Sequence, residues 1–229
     1  MSMRLIAKYN KGEQIKYISH LDTVRCVERA FRRANIPVVF SQGFNPHPKL
    51  SFASALAVGI TSDGEYMDII LKEPLDPKVF VERMNSILPK GFRIIQAKEI
   101  DNTVPALMSI IKKASYVIKI FDLKTDYETK LNQFLLQNSI VVNKQGKRDN
   151  QLIDIRNMID QMQVITRDNE GVIIKAKVCT GSEKNLNPQL LMDAFMLFCG
   201  LKDQIKLIKI HRCDMFLCQN GKWITPMEL

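Results

Sequence analysis

Residues 17–37 read Tyr-Ile-Ser-His-Leu-Asp-Thr-Val-Arg-Cys-Val-Glu-Arg-Ala-Phe-Arg-Arg-Ala-Asn-Ile-Pro. Ser19 is a favoured N-cap residue, and apolar side chains follow it at the spacing of an α-helix. This pattern predicts a helix from Ser19 to Asn35, which ends before Pro37. The apolar positions share one side of that helix, and they are Leu21, Val24, Val27, Phe31 and Ala34.

The opposite side of the predicted helix is rich in arginine, with Arg25, Arg29, Arg32 and Arg33 inside an arc of about 100°. We expect Asp22 to pair with Arg25 or Arg29 and to remove part of this charge. Arginine is the side chain best suited to bidentate contacts with phosphate. The pattern therefore favours an anion-binding face over an ordinary solvated helix surface.

A proline-rich loop follows the helix, and residues 40–52 read Phe-Ser-Gln-Gly-Phe-Asn-Pro-His-Pro-Lys-Leu-Ser-Phe. Two prolines stiffen the backbone on both sides of His47, and Gly43 allows a conformation that other residues avoid. Such a loop suits binding, although a proline-rich turn whose aromatic rings only pack is the ordinary alternative. The binding groups that we predict here are Ser41, Gly43, Phe44, Asn45, His47 and Lys49.

The charge of the chain is concentrated near this helix and loop. Residues 1–50 contain nine Lys and Arg against three Asp and Glu, a net charge of +6 out of +9 for all 229 residues. A basic protein with a clustered patch is a candidate for binding nucleic acid or another polyanion.

The first hundred residues predict the element order β-α-β-β-α-β of a ferredoxin-like domain. The predicted elements are strand Arg4–Ile18, helix Ser19–Asn35, strand Pro37–Ser41, strands Ser51–Gly59 and Glu65–Leu71 around a turn at Thr61–Gly64, helix Asp76–Leu88 and strand Phe92–Glu99.

The second half repeats this order more loosely. Its predicted elements are strand Tyr116–Phe121, helix Asp126–Gln137, strand Ser139–Asn143, a polar turn over residues 144–150, strands Leu152–Ile155, Met158–Thr166 and Gly171–Cys179, helix Asn187–Phe198 and strand Gln204–His211. We therefore predict an α+β fold of two ferredoxin-like halves in tandem, over residues 1–101 and 112–229, with a linker at 102–111.

Composition points to a cytoplasmic protein. No apolar run is long enough to span a membrane, and the N-terminus lacks the apolar stretch of a signal peptide. Five cysteines without a Cys-x-x-Cys pair indicate reduced thiols rather than disulfides or a zinc site. We expect no cofactor and no metal, and the composition leaves the oligomeric state open.

Four motifs resemble a bacterial family called radical-SAM-linked proteins. They are Tyr-x-Ser-His-Leu-Asp at 17–22, Arg-Ala-x-Arg-Arg-Ala at 29–34, Ser-x-Gly-Phe-Asn-Pro-His-Pro at 41–48 and Gly-x-x-Ser-x-Gly-Glu at 59–65. The resemblance implies a radical SAM protein as partner, because family members occur beside or fused to one. The chain lacks the Cys-x-x-x-Cys-x-x-Cys cluster motif, so it would be the attached module and not the radical enzyme.

These observations together favour an RNA-binding or substrate-delivery module that acts with a radical SAM enzyme in RNA or ribosome-related modification. The arginines would hold phosphates, Phe44 or Phe52 would stack on a base, and Ser41, Asn45 and His47 would read polar edges. The supporting motif residues are Tyr17, Ser19, His20, Asp22 and Glu65.

Two alternatives remain open from the sequence. The motif face would instead dock the radical SAM partner without RNA, or a histidine, His47 or His20, would act as a general base in an endoribonuclease. A mixed N/O metal site from His20, Asp22, His47 and either Glu65 or Asp68 is a weaker hypothesis. Otherwise Glu65 and Asp68 are predicted to balance the arginines or to pair with Lys49.

Overall fold

The computed structural model describes residues 2–145, 150–201 and 208–229. Within these residues the fold is mixed α+β, with five α-helices and mainly antiparallel strand pairing, so the predicted α+β class is confirmed. The chain divides into two compact units, Met1–Lys112 with Asp214–Leu229, and Lys113–Cys213. None of the described helices combines the length and the apolarity that crossing a lipid bilayer requires.

The first unit contains the predicted β-α-β-β-α-β order. Its elements are β1 (Met3–Lys11), α1 (His20–Arg33), β2 (Leu50–Phe52), β3 (Thr61–Leu71), α2 (Pro77–Asn85) and β4 (Phe92–Glu99), followed by the short helix α3 (Leu107–Ile110). The central strand β1 pairs with β3 on one side and β4 on the other, and β2 pairs with β3. All of these pairings are antiparallel.

Both long helices of this unit start where the sequence indicates. Ser19 caps α1 by accepting a hydrogen bond from the backbone N–H of Asp22 at 3.2 Å. Asp76 caps α2 by accepting from the N–H of Lys78 at 2.7 Å, and Pro77 takes the first helical position. The helices bury their apolar sides in one core, which includes Leu5, Ala7, Val27, Phe31, Met67, Ile69, Phe80 and Met84.

Four strand predictions in this unit were wrong in extent. The strand predicted at Ser51–Gly59 is the short β2, Leu50–Phe52. Strand β1 ends at Lys11, because a 3-10 turn over Glu13–Ile15 follows it. Thr61–Gly64 does not form a separating turn but is the start of β3. The pairing of β1 with β3 shifts register between Tyr9 and Lys11, so the strand continues through these residues with a local irregularity. The predicted strand Pro37–Ser41 makes only isolated bridges.

The last segment of the chain, Asp214–Leu229, belongs to the first unit, whereas the predicted boundaries assigned it to the second half. Asp214 explains this placement. Its carboxylate accepts a hydrogen bond from the Tyr66 hydroxyl at 2.6 Å and forms an ion pair with Lys8 at 2.7 Å. Burial and the hydrogen bond to Asp214 raise the pKa of Tyr66, so the hydroxyl remains a donor. These contacts are long-range in sequence, so local patterns carry no sign of them.

The second unit contains most of the remaining elements. They are β5 (Ile111–Ile120), α4 (Tyr127–Leu135), β6 (Val141–Gln145), β7 (Asn150–Asp154), β8 (Ile159–Arg167), β9 (Val172–Cys179), α5 (Pro188–Phe198) and the start of β10 (Ile208–Gln219). Its strand order is β10-β5-β9-β8, and β6 and β7 form a separate antiparallel hairpin. Phe134 and Phe195 pack together in its core, with ring centroids 5.2 Å apart.

Two predictions of the second half lie partly outside the described residues. They are the middle of the polar turn at 144–150 and the start of the strand predicted at Gln204–His211. The described part of that strand continues to Gln219, well beyond the predicted end at His211. A short strand, β11 (Lys222–Ile224), then pairs with β10 and carries Trp223, the single tryptophan of the chain.

Candidate nucleic-acid interface

Helix α1 presents its four arginines to solvent, as the sequence predicts. Thr23, Val27, Ala30 and Phe31 are buried on the inner side of the helix, whereas all four arginines are exposed. The helix therefore has one side fixed by the core and one side that is free to meet a ligand.

The predicted partial neutralisation of this face by Asp22 is also present. The Asp22 carboxylate lies 3.5 Å from Arg25 and accepts a hydrogen bond from the Ser19 hydroxyl at 2.7 Å. Within the described ranges of the chain, Arg29, Arg32 and Arg33 form no ion pair. Three guanidinium groups on one exposed helix side thus remain available for an anionic ligand.

The proline-rich loop is closed at its base by two hydrogen bonds. The backbone N–H of Ser41 donates to the carbonyl of His47 at 2.8 Å, and the N–H of His47 donates to the Ser41 hydroxyl at 3.0 Å. Phe40 and Pro48 form an isolated antiparallel bridge beside them. Gly43 has φ +122°, a conformation that side chains disfavour, which explains the glycine at this position.

The loop lies beside α1 and exposes an aromatic ring. The Nδ1 atom of His47 is 3.8 Å from the Glu28 carboxylate, which connects the loop to the helix. Phe44 is fully exposed at the loop tip, and Asn45 is exposed next to it. The ring of Phe44 is therefore open to contact from outside the chain.

The two phenylalanines that were predicted to stack on a base differ in their exposure to solvent. Phe52 is buried in the core, where its ring packs against Tyr9 and His20 with centroid distances of 6.0 and 5.2 Å. The hypothesis that Phe52 stacks on a base is therefore wrong. Phe44 is the phenylalanine of this loop that a nucleobase can reach.

Lys49 and Asp68 also differ from expectation. Asp68 binds Arg4 through both carboxylate oxygens, with N–O distances of 2.9 and 2.7 Å, rather than pairing with Lys49. Arg4 extends the network to the linker, because it donates to the carbonyls of Val104 and Pro105. Lys49 remains exposed at the edge of a shallow groove of about 500 Å³, which Arg4 and Asp68 also line.

A buried lysine that sequence reasoning missed connects two of the motifs. Lys11 is only 3% exposed, and its ammonium group donates to the carbonyl of Ile18 at 2.7 Å. Burial lowers the pKa of Lys11, and the buried carboxylate of Glu65 opposes that shift. The alternation of β1 could have revealed that Lys11 is buried. Side chains on a strand alternate between its two faces, and Lys11 shares the face of the buried Leu5, Ala7 and Tyr9.

His20 lies at the same end of α1. Burial lowers the pKa of His20, and the nearby charge of Lys11 lowers it further, so the imidazole is neutral at pH 7. Its ring packs edge-on against Phe52, whereas His47 has Glu28 as its neighbour. Each histidine therefore has its own surroundings, with Glu28 as the titratable neighbour of His47 and Lys11 as that of His20.

The mixed-ligand metal hypothesis finds no support in the residues that the structure describes. No group of three or more His, Cys, Asp or Glu side chains there has a metal-binding arrangement. Asp22 is engaged by Ser19 and Arg25, and Asp68 by Arg4. None of the five cysteines, all within the described residues, forms a disulfide.

The profile of one bacterial family matches residues 4–188, a range that includes all four motifs. The family is described as "Uncharacterized protein conserved in bacteria (DUF2344)". The chain belongs to this family. No curated protein sequence matches it.

Distant similarities to solved structures also exist. A Cbf5–Nop10–Gar1 complex is similar with a TM-score of 0.48 and 10% identity, over 92% of this chain and 48% of that chain. An H/ACA RNP bound to a substrate RNA containing 2'-deoxyuridine gives a TM-score of 0.46 and 10% identity, over 95% and 47%. An unknown protein from Galdieria sulphuraria gives 0.28 and 10% identity, over 96% and 100%. This chain thus spans about half the length of the first two, and similarity at this level assigns no function.

Proposed function

We propose that this chain is an RNA-binding accessory module that acts with a radical SAM enzyme in RNA or ribosome-related modification. The observation that carries the proposal is the exposed row of Arg29, Arg32 and Arg33 beside a closed loop with Phe44 at its tip. Phosphate contacts and base stacking are the two interactions from which sequence-tolerant single-strand binding is built.

The arginines supply the first of these interactions. They lie along one side of a helix whose other side is fixed in the core, so binding a phosphate requires little rearrangement of the backbone. Arg25 contributes less, because Asp22 already engages it. Lys49 adds a further exposed cation near the loop.

The loop supplies the second interaction. Its base is closed by hydrogen bonds between Ser41 and His47, so Phe44 is presented on a stiff support rather than on a disordered chain. Asn45 and His47 are exposed next to this ring and offer polar groups for base edges. Association with a radical SAM protein is the part of the proposal that rests on the motif resemblance alone.

The fold forms part of the same proposal. We assign each unit to the ferredoxin-like class, supported in the first unit by the antiparallel order β4-β1-β3-β2 and in the second by the order β10-β5-β9-β8. The hairpin of β6 and β7 would be an insertion in the second domain. We keep the proposed division into domains at about 1–101 and 112–229 with a linker at 102–111. The exception is the last segment, Asp214–Leu229, which packs with the first unit.

The test is fluorescence polarisation with the full chain and a labelled single-stranded oligouridylate of about ten nucleotides, at several salt concentrations. The double variant Arg29→Ala, Arg33→Ala removes two cations from the proposed face. Lys78→Ala, Arg83→Ala is the matched control, because it removes two exposed cations from α2 of the same unit.

We expect the α1 variant to bind more weakly and to reduce the slope of log K against log salt by about 1.4, from two lost phosphate contacts at about 0.7 each. The α2 variant should retain the wild-type slope. Equal effects of both variants, or no binding by wild type at low salt, would refute the proposal.

Docking of a partner protein without RNA is the second candidate, because Leu21 and Val58 are exposed apolar side chains near the same end of α1. Salt-insensitive binding of the radical SAM protein alone would support it. The endoribonuclease alternative requires that the labelled RNA is shortened and that His47→Ala abolishes this shortening. His47 is exposed, as a general base must be, and its Nδ1 atom lies 3.8 Å from the Glu28 carboxylate.

A further inference from the structure

We infer that the same interface has a second base-stacking position at Tyr17, held in place by the buried ammonium group of Lys11. This inference rests on the proposed function and specifies its substrate as RNA with unpaired bases at two separate points. Tyr17 is 74% exposed and lies two residues before Ser19, the capping residue of α1. Its ring adds nothing to the core, as for Phe44.

The backbone around Tyr17 is fixed on both sides. The carbonyl of Lys16 accepts a hydrogen bond from the N–H of Gly59 at 2.9 Å. The carbonyl of Ile18 accepts from the Lys11 ammonium at 2.7 Å, and the N–H of Ile18 donates to the carbonyl of Ile15 at 3.0 Å. The turn is therefore held by contacts to two other segments, although its side chain points to solvent.

The ring itself has close neighbours that restrict it. The ammonium of Lys16 lies 5.2 Å from the ring centroid, and Glu13 holds that ammonium at 2.7 Å. Gly59 lies beside the ring, since a Cβ built on it would be 3.8 Å from Tyr17 Cε1, an ordinary van der Waals distance. A ring that is already restricted loses little conformational entropy when a base stacks on it.

Lys11 is a positioning residue and not a ligand-binding one. It is almost fully buried, so it cannot reach RNA. Burying an ammonium group is costly unless it is hydrogen-bonded and near a negative charge, and here Ile18 and Glu65 meet these needs. A methionine of similar length would fill the space and leave the Ile18 carbonyl without its donor.

The two aromatic positions lie apart on the interface. Tyr17 precedes the start of α1 at His20, whereas the loop meets the helix at Glu28. Eight residues of α-helix correspond to a rise of about 12 Å. Paired bases in a duplex are stacked on each other and not available to two separated rings, so the arrangement selects single-stranded RNA.

The experiment uses the full chain and the same labelled oligouridylate of about ten nucleotides, with a matched RNA duplex for comparison. Tyr17→Ala should raise the Kd about five-fold or more, the lower range for one lost stacking contact, without changing the salt slope. Tyr17→Phe keeps the ring and should bind like wild type. Leu136→Ala, which removes an equally exposed apolar side chain of the second unit, should have no effect.

Lys11→Met should also raise the Kd at unchanged salt slope, and should add little to Tyr17→Ala in the double variant, because both remove the same contact. Its Trp223 emission and circular dichroism establish whether it folds. The Tyr17 variants test the inference independently, since an exposed side chain is not needed for folding.

The outcomes separate this inference from the proposed function. If Tyr17→Ala binds like wild type while Arg29→Ala, Arg33→Ala binds weakly, the second stacking position is refuted and the RNA interface stands. Loss of affinity in Tyr17→Phe, or equal affinity for the duplex, also refutes the inference. If wild type binds no RNA, both proposals fail.

Discussion

Removing the carboxylate of Asp68 should strongly destabilise the first unit. Arg4 and Asp68 are 7% and 6% exposed, and two parallel hydrogen bonds of 2.9 and 2.7 Å join them. The hydrogen bond to Asp68 raises the pKa of Arg4 despite burial. Arginine keeps its charge even without such a partner, so the guanidinium stays charged when Asp68 is removed. In Asp68→Ala, a buried positive charge therefore remains with only backbone carbonyls as neighbours.

Leaving one ion of a buried pair without its partner costs about 3–5 kcal/mol. We expect a loss of that size in the free energy of unfolding of Asp68→Ala. Replacing both partners, as in Arg4→Met, Asp68→Leu, should cost less than the single change, because no charge is left in the core. Arg25→Ala, which breaks the exposed pair with Asp22, should cost no more than about 0.5 kcal/mol.

The assay is urea denaturation followed by fluorescence. The single tryptophan, Trp223, lies in the segment that belongs to the first unit, so its emission reports the unfolding of that unit. A loss below about 1 kcal/mol for Asp68→Ala, or a double variant as unstable as the single one, would show that the buried-charge reasoning is wrong.

Three further predictions concern local features. Ser19→Ala removes the N-cap of α1 and should lower the stability of the first unit by about 1 kcal/mol, measured by the Trp223 transition; an unchanged midpoint contradicts the cap. Gly59→Ala should cost about 1–2 kcal/mol, because Gly59 has φ +88°, and a neutral result in the same assay would rule out backbone strain. Hydrogen bonds from Thr125, Lys124 and Tyr127 lower the pKa of Asp122 to about 2, below its usual value of about 3.9. The contribution of Asp122 to stability is therefore present above pH 4 and lost as pH falls from about 4 towards 2. The melting temperature of Asp122→Asn, measured by circular dichroism, should lie below that of wild type at pH 7 and equal it near pH 2. A difference in melting temperature that does not change with pH would exclude this origin.

The sequence alone predicted those features that depend on neighbouring residues. The capped helix α1, the start of α2 at Pro77 and the strand Phe92–Glu99 agree with the structure. The two sides of α1 also agree, except that Leu21, predicted on the apolar side, is exposed. The physical reason is that capping, helical spacing and proline geometry act within a few residues, so a short stretch of sequence contains the whole signal.

The candidate site was predicted in its parts but not in its arrangement. The exposure of the arginines follows from helical periodicity, and the closed loop follows from its prolines and glycine. The choice between Phe44 and Phe52 did not follow from the sequence, because both rings flank the same loop and only packing against Tyr9 and His20 removes Phe52 from solvent.

Only the tertiary structure decided which distant charges meet. The partner of Asp68 is Arg4, the ammonium of Lys11 serves Ile18, and Asp214 ties the last segment of the chain to Lys8 and Tyr66. Strand register and the path of the chain determine these pairings. Arg4 and Asp68 are 64 positions apart in the sequence, and Lys8 and Asp214 are 206 positions apart. The pattern of side chains along the sequence indicates which positions face inward. Which group each of them contacts depends on the register in which the strands pair, and local sequence does not determine that register.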